Sequence, residues 1–173
     1  MTEIPSIGPR DQTLIDALAA IGEALSLRNQ NNTESEWVRQ ITQLAASHPD
    51  PFVRAHLTTC ATLRQLHELA TDPHLTVRLL VAENPLCIDA DLQLTLAADC
   101  DELVIQTMLN NVDPYVDTVK ALMSSPHVSV RRRLANMNLR EELLDYLSLD
   151  NDESVSAAAL STLSERHARR VAA

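Results

Sequence analysis

Five valines, Val53, Val77, Val104, Val130 and Val155, are each followed four residues later by a second side chain of the same kind of face: Leu57, Val81, Met108, Leu134 and Ala159. Residues four apart lie one above the other on a helix, so each pair predicts a short helix with one buried side. The valines are spaced 24, 27, 26 and 25 residues apart, a period held through most of the chain. Start signals precede them as His48-Pro49, Asp72-Pro73, Asp99-Cys100, Ser125-Pro126 and Asp150-Asn151. Asp72 is the expected N-cap and Pro73 the first-turn residue; Asn84-Pro85 is the matching stop. A second apolar pair completes each unit at Leu66 and Leu69, Leu92 and Leu96, Val119 and Leu122, and Leu144 and Leu147.

Ahead of the period, residues 1–10 hold Pro5, Gly8 and Pro9 and read as an extended arm. A helix is expected from Asp11 with the stripe Leu14, Leu18, Ile21 and Leu25. After the polar connector Gln30-Asn31-Asn32, Thr33 and Glu36 have capping-box spacing for a helix through Trp37, Ile41 and Leu44. The expectation is an all-α chain of one folded domain: N-terminal arm and capping hairpin (1–43), about five helical repeats of 24–27 residues (44–163), and a C-terminal cap or tail (164–173). Composition agrees: Gly8 and Gly22 are the only glycines and Trp37, Phe52, Tyr115 and Tyr146 the only aromatics, a balance that favours helices and tight turns over sheets.

The run from Leu69 to Pro85, L-A-x-D-P-x-x-x-V-R-x-x-V-A-x-N-P, returns more loosely at 44–60, 96–111, 122–138 and 147–162. It resembles the leucine-rich repeat variant family. That resemblance implies a right-handed α-solenoid in which each repeat contributes an α-helix and a short 3-10 helix, with no strands. The pattern departs where Val-Arg becomes Val104-Ile105 and Val155-Ser156. The iron–sulfur cysteine segment that precedes such repeats in the family has no counterpart before Cys60.

Charge narrows the functional classes. The net charge is −10, which repels phosphate backbones and anionic membranes and suits basic partners. From Leu79 to Val119 there is no lysine or arginine, while Glu83, Asp89, Asp91, Asp99, Asp101, Glu102, Asp113 and Asp117 fall there. Such an interval gives either a solvated surface or a docking site for a positive patch. Asp50, His74, Asp101, His127 and Asp152 form a column of potential metal ligands; helices packed ~8–10 Å apart hold such side chains too far apart, and first-turn acids have an ordinary reason to be there. Arg54, Arg78 and Arg131 form a second column. With Arg132 and Arg133 it is either a basic stripe or a set of ties to acids such as Asp101 and Glu102.

Three cysteines, Cys60, Cys87 and Cys100, show neither paired nor C-x-x-C spacing, which fits reduced thiols in a cytoplasmic setting. No run of apolar residues is long enough to span a bilayer, and the N-terminus lacks the pattern of a signal peptide. With two glycines no phosphate-cradling loop is possible, and Ser124, Ser125, Ser161 and Ser164 lack a nucleophile elbow. The expected function is therefore a non-catalytic, cofactor-free and metal-free cytoplasmic scaffold. It binds a protein partner with a basic patch, through Asp89, Asp91, Asp101 and Glu102 or through Arg131, Arg132 and Arg133. The competing classes are a nucleic-acid-binding helical-repeat protein, disfavoured by charge, and an accessory maturation factor for a cofactor enzyme.

Overall fold

The computed structural model describes residues 9–27 and 36–171. Eleven helices are described: α1 (Pro9–Leu27), α2 (Glu36–Ala46), α3 (Pro51–Leu57), α4 (Leu63–Leu69), α5 (Leu75–Ala82), α6 (Ala90–Ala97), α7 (Glu102–Asn111), α8 (Val116–Leu122), α9 (Val128–Ala135), α10 (Glu141–Leu147) and α11 (Glu153–Val171). Among the described residues there is no strand. The chain divides into two compact units, Met1–Cys87 and Ile88–Ala173.

In the first unit α3 packs against α1, α2 and α5, α1 also meets α2, and α4 lies on α5. Gly22 sits where α1 approaches the turn after α3: a Cβ there would lie 3.3 Å from the Thr59 hydroxyl. In the second unit α9 packs against α7, α8, α10 and α11, α6 packs on α7 and α8, and α10 on α11. The ten register residues are the core of both units. Val53, Leu57, Val77, Val81, Val104, Met108, Val130, Leu134, Val155 and Ala159 are all completely buried. Each Val, Leu or Met so buried is worth roughly 1.5–3 kcal/mol relative to exposure. The second apolar pairs are buried beside them.

The helix starts differ from the expected ones in an ordered way. The residue before the first helical position is Asp50, His74, Asp101 or His127, two places after the expected cap. The earlier residue instead accepts from the N–H two positions on: His48 from Asp50 (3.1 Å), Asp72 from His74 (2.8 Å), Asp99 from Asp101 (2.8 Å), Ser125 from His127 (3.3 Å) and Asp150 from Asp152 (2.9 Å). Such a turn closes on a side chain, so Pro73 and Pro126 stand inside it, where they have no N–H to satisfy.

Other expectations need correction. The second element of each unit is α-helical, and the one 3-10 segment among the described residues is Pro85–Ile88. Two of these starts are side-chain capped, Thr62 and Gln65 forming a capping box for α4 and Asp89 accepting from Leu92 N–H at the start of α6, while α8 and α10 are α-helical without such a cap. Leu44 is 65% exposed while Thr42 and Ala45 face the core, so α2 is rotated from the expected Ile41 and Leu44 stripe. α1 begins at Pro9, before Asp11, and buries Ile15 and Leu18. Residues 164–171, expected as a C-terminal cap or tail, are the end of α11, held by Arg166 donating to the Leu139 carbonyl and Asn138 and by Arg170 paired with Glu141 at 2.9 Å. The rest of the arm, the connector, the Thr33 and Glu36 capping box, and the side chains of Ile21, Leu25 and Trp37 lie outside the described residues.

Candidate functional site

The arginine column ties helix starts together. Arg54 grips Asp72 with both guanidinium arms, at 2.6 and 2.9 Å, and donates to the His48 carbonyl at 2.7 Å. Arg131 does the same to Asp150, at 2.7 and 3.1 Å, and to the Ser125 carbonyl at 2.7 Å. Arg78 donates to the Asp72 carbonyl at 2.9 Å. The acids are thus the turn residues of the following helix start, not Asp101 or Glu102 as expected. Both pairs are largely buried, with side-chain exposures of 13% and 5% for Arg54 and Asp72, and 15% and 10% for Arg131 and Asp150. The Arg131 hydrogen bonds hold the Asp150 carboxyl below its ordinary range. Burial pushes Asp72 upward, but the bonds from Arg54 and the His74 N–H outweigh it and the net shift is downward. Where Arg is missing the acid is missing as well: Ile105 is buried, and Ser125 stands in the place of Asp72 and Asp150.

The other two arginines of the triplet part company, because successive helical residues point about 100° apart. Arg133 donates to the Gln106 side chain at 3.0 Å and the Leu109 carbonyl at 2.6 Å, capping the end of α7. Arg132 is exposed. The triplet therefore presents one outward cation and two structural ties. Similar ties recur about one period back: Asn84 donates to the Thr58 carbonyl at 2.8 Å, 26 residues back, and Thr162 to the Ala135 carbonyl at 2.8 Å, 27 residues back.

The acidic interval separates into two kinds of carboxylate. Asp89 and Asp101 cap α6 and α7, and Asp99 closes the turn before α7. Glu102 accepts from the Ser129 hydroxyl and lies 3.7 Å from His127 Nδ1. Asp91, Asp113 and Asp117 are exposed side chains that accept no backbone N–H; Asp117 pairs with exposed Lys120 at 3.3 Å. Asp89 and Asp91 begin α6, while Asp99, Asp101 and Glu102 follow its end. Eight helical residues separate these groups by ~12 Å.

Sequence reasoning passed over Gln93. It is fully buried, accepts from the Tyr115 N–H (3.0 Å) and the Thr118 hydroxyl (3.2 Å), and donates to the Asp113 carbonyl (3.4 Å). One amide thereby fixes the start of α8, whose N-cap Tyr115 supplies no side-chain cap, against α6. The available signal was a polar residue beside Leu92 in an apolar helix, 25 residues before a threonine.

The His and Asp column is a column of helix starts. Asp50, Asp101 and Asp152 each accept from the N–H two residues on, all at 2.9 Å, and His74 and His127 make no side-chain cap. Among the described residues no group of three or more metal-ligating side chains converges. The Ser129 hydroxyl donates its hydrogen bond to Glu102 rather than to His127, whose Nε2 is buried without a hydrogen-bond partner. Burial pushes the Cys60 thiol up to about 11, and Cys87 is buried too; Cys100 is exposed.

Each unit carries an open groove. In the first, about 540 Å³ lies between α2 and α4 over Thr42, Cys60 and Ala61. In the second, about 440 Å³ lies beside Met123, Ser124, Tyr146 and Leu149, with Tyr146 60% and Leu149 83% exposed. No described helix is long and apolar enough to cross a membrane. No family model, curated protein or solved structure matches the chain.

Proposed function

We propose that the protein is a non-catalytic helical-repeat scaffold that binds a protein partner bearing a basic patch through the acidic surface of its middle repeats. In this reading, about five repeats of the leucine-rich repeat variant kind follow a capping hairpin and coil as a right-handed solenoid in the reducing cytoplasm. The observation that carries it is the 41-residue interval from Leu79 to Val119, rich in carboxylates and without one cation. Unopposed like charges raise the energy of the free protein, and an arriving cationic surface relieves them while associating faster. The nucleic-acid alternative needs a basic groove, and two of the three arginines best placed for one are engaged in internal ties.

The test replaces Asp89, Asp91 and Asp101 with Asn and Glu102 with Gln. Asn caps helices about as well as Asp, so charge changes and the caps stay. The parent protein should capture basic proteins that the variant loses, with capture by the parent weakening as salt rises. Recovery of the same proteins at the same salt tolerance overturns the acidic surface and moves attention to Arg132 and its neighbours.

A further inference from the structure

The turn that opens each repeat closes on a side-chain acceptor, and in four of the five that acceptor is an oxygen, of Asp72, Asp99, Ser125 or Asp150. In the first it is a ring nitrogen: His48 Nδ1 accepts from the Asp50 N–H at 3.1 Å. An accepting ring nitrogen carries no proton, so the folded turn requires the tautomer with its proton on Nε2. Nε2 lies 3.2 Å from the Asp11 carboxylate of α1, which gives that proton an acceptor. One imidazole thus joins α1 to the start of α3, with side-chain exposures of 19% for His48 and 32% for Asp11.

The two contacts respond oppositely to a proton. The pair with Asp11 gains from a charged imidazolium, because an opposite charge close by favours the charged form. The turn loses its acceptor, because an imidazolium is a donor at both nitrogens and its Nδ1–H would face the Asp50 N–H. Among the acceptor types at these turns, imidazole is the one that ordinarily changes charge between pH 5 and 8. The other charged groups on the elements packed around α3 are engaged elsewhere. Arg54 donates to the His48 and Pro49 carbonyls at 2.7 and 3.1 Å and to Asp72, and Asp50 accepts from the Phe52 N–H at 2.9 Å. His56 bonds the Phe52 carbonyl at 2.8 Å, Arg78 of α5 the Asp72 carbonyl at 2.9 Å, and Asp16 of α1 the Gln12 amide at 2.9 Å. The charged residue of α2 nearest in sequence is Arg39, nine positions before His48.

We propose that His48 is a proton-sensitive joint between α1 and the first repeat. With the ring neutral it holds Asp11 and closes the turn before α3 at once. On taking a proton it keeps Asp11 and releases the Asp50 N–H, so the first turn of α3 loosens while α1 stays docked.

NMR of the histidine ring nitrogens and amide hydrogen exchange, both on the full chain, read the two ends of the joint. At pH 8 His48 should carry a proton on Nε2 and none on Nδ1. Between pH 8 and pH 5 the Asp50 amide, corrected for the pH dependence of exchange itself, should lose protection roughly five- to tenfold, the worth of one hydrogen bond. The His74 and Asp152 amides, which are held by Asp72 and Asp150, should lose none, and the amides of α1 should keep theirs. His48→Asn leaves a side-chain acceptor that takes no proton, so it should abolish the pH effect at Asp50, and circular dichroism should find it as helical as the parent. A proton on Nδ1 at pH 8, an Asp50 amide equally protected at both pH values, or the same loss in His48→Asn overturns the joint. Protection lost at Asp50, His74 and Asp152 together means a general loosening in acid and overturns it as well, and protection lost along α1 overturns the retained Asp11 pair.

Discussion

Asp150→Asn is a nearly isosteric change with a large expected cost. The carboxylate is 10% exposed, takes two bonds from Arg131 and closes the turn to the Asp152 N–H. Asn keeps an acceptor for the turn but leaves a largely buried guanidinium facing a neutral amide. Stranding one partner of a buried pair costs ~3–5 kcal/mol, and the retained acceptor puts this case near ~3 kcal/mol. For a unit of this size each kcal/mol moves the melting temperature by roughly 4–8 °C, so a fall of about 12 °C or more is expected for the second unit. Urea and thermal unfolding followed by far-UV dichroism read both quantities. The control is Asp117→Asn: its pair with Lys120 is chemically alike, but the side chains are 80% and 60% exposed, and such pairs contribute ~0–1 kcal/mol. Replacing both partners, Arg131→Met with Asp150→Leu, should recover most of the loss, because the penalty lies in the orphaned charge. An Asp150→Asn variant no less stable than Asp117→Asn refutes the reasoning.

Acid should act through the same groups. Asp72 and Asp150 have folded-state values below the ordinary carboxylate value, so their contribution is full above the unfolded pKa of ~3.9 and is lost as pH falls through the depressed values. Urea unfolding between pH 7 and pH 2 should show this loss in both units, and Asp150→Asn should flatten that of the second. Gln93→Leu should cost about 3 kcal/mol in the same assay, since it leaves the Tyr115 N–H, the Asp113 carbonyl and the Thr118 hydroxyl without their buried partner. A thiol reagent at pH 8 should modify Cys100 rapidly and spare Cys60 and Cys87 until the protein unfolds; three equally fast thiols would contradict their burial.

The period of the valines was legible because burial repeats with it: each register position named from spacing alone is core. The local chemistry of the helix starts was half legible. Asp72-Pro73 announces a turn plainly, but nothing in the sequence says that the turn closes on the N–H two residues later and hands the cap to the next acceptor. The ion pairs escaped for a geometric reason. Arg131 and Asp150 lie 19 residues apart in sequence and meet through packing, and nothing in the spacing singles out Asp150 over acids such as Asp101 and Glu102. Arg131-Arg132-Arg133 looked like one patch, and helical rotation sends the three to separate places. Gln93 could not be weighed without knowing which groups its amide would meet.

The register is the claim on which the rest depends, and Val104 tests it most directly. Val104 is completely buried in α7 while Leu149 is 83% exposed, so the same substitution to Asp should have opposite consequences at the two positions. Val104→Asp places an unpaired charge in an apolar interior. Far-UV dichroism with thermal melting should find Leu149→Asp indistinguishable from the parent and Val104→Asp stripped of the helical signal of the second unit. A Val104→Asp protein that stays fully helical and melts with the parent would contradict the account.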